Sequence, residues 1–117
     1  MAFYGDNACN AWCTVDMTST ASFTDSYNMA SVVDHATGDN EIYFDTDFTN
    51  TNYCIVNHSE NWEGSNNDSG CVASTHKGSH RTAGSCRFVN IRLRFDTGNN
   101  PQLKDSGHAS FAFFGDQ

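Results

Sequence analysis

Apolar residues in this chain alternate with polar ones in short runs, and no long stretch repeats them at i, i+3 and i+4. A period of two sends successive side chains to opposite faces of an extended strand, whereas a helix needs its apolar residues three and four apart. Leucine, a strong helix former, occurs only at Leu93 and Leu103. Thr, Ser, Asn, Asp and Gly fill the gaps between the aromatic and β-branched runs, the pattern of strands joined by turns. The fold expected is all-β: one domain over residues 1–117, a small antiparallel β-sandwich of six to seven strands.

Strands are expected at about 11–17, 26–34, 41–46, 52–58, 70–75, 85–95 and 108–114, with Gly38 supplying a turn. Alternation assigns their faces. Cys13, Val15 and Met17 oppose Thr14 and Asp16, and Ile42 and Phe44 oppose Tyr43 and Asp45. In 85–95, Val89, Ile91, Leu93 and Phe95 are expected in the core. Arg92 and Arg94 then point outward, toward carboxylates of a neighbouring subunit. The last strand is apolar on both faces, with Phe111 and Phe113 opposing Ala112 and Phe114. It therefore needs a second cover, from a loop or from another chain.

Charge narrows the partners. The net charge is −8, and residues 1–76 hold eleven acids and no Lys or Arg, while all six basic residues follow. An acidic chain lacks the basic footprint that nucleic acid requires and is repelled by anionic membrane surfaces. No apolar run approaches the ~20 residues of a membrane span, and MAFYGDNACN does not read as a signal peptide. Five cysteines, at 9, 13, 54, 71 and 86, cannot all pair within the chain. Most are expected as small, reduced, buried hydrophobes.

No catalytic motif emerges. Asp45 with Asp47, and Glu60 with Glu63, are explained as solvated carboxylates, and no G-x-S-x-G occurs. His76 and His80, in HKGSH, are loop histidines that a threefold axis would turn into a metal ring. The loop SENWEGSNNDSG carries the oxygens of calcium sites without their regular spacing. No cofactor is expected, and the chain reads as a binding protein rather than an enzyme. The recognition residues expected are Trp62 for stacking, Asn66, Asn67 and Asp68 for hydroxyl groups, and His80 and Arg81 for anionic groups. Trp62 folded back onto the sandwich is the alternative.

Three stretches carry a family resemblance: AW at 11–12, SYNMASVVDHATGDNEIYFDTDFTNTNYCIV at 26–56, and ASFAFFGD at 109–116. Together they resemble a C-terminal domain of tailed-phage tail-fibre proteins, which shows an AWVNF-like motif, a TGD turn, an NY-apolar strand and a closing VAIFGD-like run. IYFDTDFTNTNYCIV is also similar, to a lesser degree, to H-type lectins. Trp12, Gly38, Ile42, Phe44 and Tyr53 fall on framework positions of the tail-fibre family. Cys13 and Val15 depart from its larger apolar pair, Thr49 replaces its proline, and residues 59–107 match nothing in it. The resemblance implies a homotrimer at the distal tip of a virion tail fibre, assembled in the host cytoplasm and joined to an upstream shaft. Such a tip meets a host cell-surface receptor, a carbohydrate or another envelope component. A trimerisation cap without a ligand and a polysaccharide-degrading tail enzyme are the alternatives.

Overall fold

The computed structural model describes residues 8–60, 69–75, 80–94 and 101–117. These form nine strands: β1 (Cys9–Asp16), β2 (Ser22–Tyr27), β3 (Met29–Ala36), β4 (Asp39–Phe44), β5 (Cys54–Ser59), β6 (Ser69–Thr75), β7 (Ser85–Arg94), β8 (Gln102–Leu103) and β9 (Ala109–Phe114). They pair antiparallel in two sheets, one ordered β2-β1-β9-β5 and the other β3-β4-β7-β6, with β8 added on β7. The all-β expectation holds, but there are more strands than the six to seven read from the sequence.

One of the two extra strands comes from a corner. The run expected as a single strand at 26–34 breaks at Asn28, which has φ 56°. Asn tolerates this left-handed conformation better than most residues. Its amide Nδ2 donates to the carbonyls of Asn10 (3.1 Å) and Thr46 (3.2 Å), and its Oδ1 accepts from the Thr46 N–H at 2.7 Å. The chain thereby leaves one sheet as β2 and enters the other as β3. β2 itself, SFTDSY, is nearly all polar, so hydrophobic patterning could not reveal it. β8 is two residues long and rests on its pairing with Ile91 and Arg92.

The core lies between the sheets. Ala11, Cys13 and Val15 of β1 and Ala109, Phe111 and Phe113 of β9 face Ile42, Phe44, Cys86 and Phe88, all at most 5 % exposed. Aromatic rings knit the layers: Phe44 to Phe113 at 5.0 Å, Phe44 to Phe48 at 4.9 Å and Phe88 to Phe111 at 4.4 Å. Edge-on and tilted contacts of this kind add about 0.5–1.5 kcal/mol each to the area they bury. Tyr53 enters the core ring-first, and its hydroxyl donates to the carbonyls of Thr82 (2.9 Å) and Ser85 (3.1 Å).

The face assignment of β7 is the reverse of the sequence expectation. Its register pairs Ile42 with Cys86 and Asn40 with Phe88, which fixes the even-numbered residues inward. Asn90 is fully buried and Arg92 is 7 % exposed, while Val89, Ile91 and Leu93 are half-buried on the outer face. Arg92 is thus an interior side chain and not the outward one expected from the sequence. Arg94's side chain and Phe95 lie outside what the structure describes. The reversal has two causes. A polar site inside the sandwich takes Asn90, whose Nδ2 donates to the Lys104 carbonyl (2.8 Å) and whose Oδ1 accepts from Ser59 Oγ (2.6 Å). On the outside, Leu103 of β8 sits opposite Ile91. Leu103 is itself 44 % exposed, so the outer face of β7 carries an apolar stripe shared with β8 while its inner face takes polar side chains, and alternation no longer names the core.

Candidate functional site

Because Ala11, Cys13 and Val15 face the core, Trp12, Thr14 and Asp16 must occupy the outer face of β1. Pairing carries that face across the sheet. Trp12 pairs with Tyr27 on one side and Ala112 on the other, and Ala112 pairs with Val56. Tyr27, Trp12, Ala112 and Val56 therefore form one row running across all four strands. Tyr27 and Val56 are each 58 % exposed and Trp12 is 37 % exposed. The row spans three strand spacings, roughly 14 Å. The outer side chains of β9, Ala112 and Phe114, lie here half-buried among their neighbours, with no further cover among the described residues.

A second row runs parallel, two residues along: Asp25, Thr14, Ser110 and His58. Here the hydroxyls of Thr14 and Ser110 are 3.0 Å apart. Beyond, Asp16 accepts hydrogen bonds from the Thr18 backbone N–H (2.8 Å) and hydroxyl (2.7 Å), which hold its carboxyl below the usual range. No Lys or Arg occurs in any of these four strands.

On the other side of the apolar row, Phe114 lies between Cys9 and Cys54. It forms one wall of an open cleft of about 390 Å³ lined also by Asn50, Asn52, Cys54, Gly115 and Asp116. The Asn52 N–H donates to Asn50 Oδ1 (2.7 Å), and the Thr49 N–H donates to the Asp116 carbonyl (2.8 Å), fixing the cleft walls. The sheet thus presents an aromatic and aliphatic stripe between a hydroxyl and carboxylate row and an amide-lined cleft.

Of the recognition residues expected from the sequence, Trp62, Asn66, Asn67, Asp68 and His76 lie outside the described residues. His80 and Arg81 are described and half-buried. Arg81 pairs with Cys86 as an isolated bridge and lays its guanidinium 4.2 Å over the Tyr53 ring. Its charge is engaged by a cation–π contact within the chain. Glu60 and Ser69, which flank 61–68, lie at the Gly38 end, where Glu60 bonds His108 (N–H to carbonyl, 2.9 Å) and Ser69 pairs with Arg94. Arg81, beside Tyr53, lies at the opposite end. Trp12, read from the sequence as framework, instead stands exposed at the centre of the row. Its parity with Thr14 and Asp16 was the signal that could have shown it.

The cysteines divide by face. Cys13 and Cys86 are buried in the core, while Cys9 and Cys54 are exposed, and all four thiols are free. Cys71's side chain is outside the described set. The bulge between Cys9 and Ala11 turns Cys9 outward, away from Cys13. Burial pushes the Cys13 thiol up to about 12 and Cys86 up to about 11. Both are protonated at neutral pH and are not activated nucleophiles. Among the described residues no three His, Cys, Asp or Glu side chains group as metal ligands.

Comparison with protein-family models, with curated proteins and with solved structures finds no match for this chain.

Proposed function

We propose that this domain is a surface-recognition module, the distal host-attachment tip of a tailed-phage fibre, acting as a homotrimer. The observation that carries the recognition reading is the exposed row Tyr27–Trp12–Ala112–Val56, continuous across the sheet and flanked by polar groups. Large aromatics held on a rigid sheet are costly to expose without a target, and they supply contact area with little rotamer entropy to lose. The fibre setting rests on the resemblance at 11–12, 26–56 and 109–116. The opposite sheet supports assembly: its outer face exposes Val33, Tyr43 and Leu103 beside half-buried Ile91. Three weak sites on one tip then gain apparent affinity on the order of 10²–10⁴-fold when geometry permits simultaneous contact.

The test is direct. Fluorescently labelled full chain is incubated with a panel of bacterial strains and read by flow cytometry. At least one strain is expected to be labelled, and a Trp12→Ala/Tyr27→Ala protein with an unchanged melting temperature is expected to lose that labelling. Labelling of no strain overturns the recognition reading. Undiminished labelling by the double variant overturns the assignment of the face.

A further inference from the structure

We infer that the outer face of the β2-β1-β9-β5 sheet takes an uncharged oligosaccharide, stacked on Tyr27 and Trp12 and flanked on one side by the Asn50–Asn52–Asp116 cleft. This rests on the recognition reading and names the class of target. Three features select it.

The first is the order of the rows. A sugar ring is apolar on its C–H faces and ringed by hydroxyls at its edge. Here an aromatic stripe lies beside Asp25, Thr14, Ser110 and His58 on one side. Asn50, Asn52 and Asp116 line the cleft on the other. The ring faces stack on the stripe, while carboxylate and amide groups meet hydroxyls from both flanks. A row of roughly 14 Å matches a short linear oligosaccharide.

The second is charge. The four strands carry Asp16 and Asp25 and no Lys or Arg. An anionic ligand here meets carboxylates and no counter-charge. Among the described residues, Arg87 holds Asp39 through two 2.7 Å hydrogen bonds, and Arg81 covers Tyr53. The surface therefore favours uncharged sugars over acidic ones.

The third is size. One apolar row a single pleat wide covers on the order of 100–200 Å². A stable protein interface buries about 800 Å² on each partner. The row is small for a second copy of the chain and sufficient for a chain of sugars.

The experiment uses the strain labelled by the full chain. Its surface polysaccharide is extracted, divided by anion exchange into neutral and acidic fractions, and titrated by calorimetry into the protein. The neutral fraction is expected to bind. Trp12→Ala should weaken binding about tenfold, Trp12→Phe much less because the ring is kept, and Asn52→Ala and Asp25→Ala several-fold each. Asp25→Lys should raise affinity for the acidic fraction. Preferential binding of the acidic fraction by the native chain overturns the inference. So does strain labelling that protease treatment of the cells abolishes while neither fraction binds; the recognition reading then stands and the saccharide class falls. If Trp12→Phe loses as much as Trp12→Ala with its fold intact, stacking is overturned as the mode of contact.

Discussion

Gly38→Ala tests how the turn end of the sandwich is built. Gly38 has φ 65°, and a Cβ placed there would lie 2.6 Å from the Lys104 nitrogen and 2.8 Å from the Asn90 carbonyl oxygen. Both are backbone atoms, so no side chain can swing aside. The left-handed conformation alone costs an alanine about 1–2 kcal/mol. Relieving the clash requires the segment carrying Lys104 to move away. That motion breaks the Gly38 N–H bond to Asp105 Oδ1 (2.7 Å) and the Lys104 N–H bond to the Asn90 carbonyl (3.0 Å). Two such bonds are worth about 1 kcal/mol each. The total is about 3–4 kcal/mol, or a fall in melting temperature of roughly 10–15 °C for a domain of this size. Gly107→Ala is the control, because its Cβ would meet only Glu60 Oε2 at an ordinary 3.5 Å. Urea denaturation of both variants reads the difference. A Gly38→Ala protein as stable as Gly107→Ala would refute the packing described for this end.

Asn28→Ala should cost about 2–3 kcal/mol, since it loses the three hydrogen bonds that turn the corner and leaves alanine at positive φ; Asn28→Gly should cost less, and equal losses in denaturant melts would contradict the φ argument. Brief alkylation of the native protein followed by peptide mass spectrometry should modify Cys9 and Cys54 and spare Cys13 and Cys86 until denaturant is added. Cys13 and Cys86 also set an alkaline limit: burial lifts their folded pKa values above the ordinary thiol value of 9.0, to about 12 and about 11. Between pH 9 and those values the unfolded chain releases protons that the folded chain keeps. Stability is therefore full below pH 9 and falls above it by up to about 1.4 kcal/mol per pH unit for each thiol. Cys13→Ala should flatten the loss measured by thermal melts from pH 8 to 10.5. Light scattering at micromolar concentration should give a trimer mass.

Much of the sandwich was legible because its strands are covered on one face. Cys13, Val15 and Met17 read as core from alternation alone, and all three are at most 1 % exposed. The TGD turn showed itself through Gly38. β7 misled because its inner face takes polar Asn90, satisfied by Ser59 and Lys104, while its outer face carries half-buried Val89, Ile91 and Leu93 with Leu103 alongside in the same sheet. No periodicity distinguishes those faces. β2 escaped because a strand that contributes only half-buried Phe23 to the core has almost no apolar pattern to detect. The candidate site was half-legible. Trp12 shares its parity with Thr14 and Asp16 but was read only as framework, and its alignment with Tyr27, Ala112 and Val56 depends on pairing between strands far apart in sequence.

The central claim is that the Tyr27–Trp12–Ala112–Val56 row is the surface that meets the target. Hydroxyl-radical footprinting of the full chain, free and bound to a labelled strain, measures this side chain by side chain. Oxidation of Trp12 and Tyr27 should fall on binding, while Tyr43, exposed on the outer face of the other sheet, should be unchanged. Protection of Tyr43 with Trp12 and Tyr27 left as reactive as in the free protein would contradict the account.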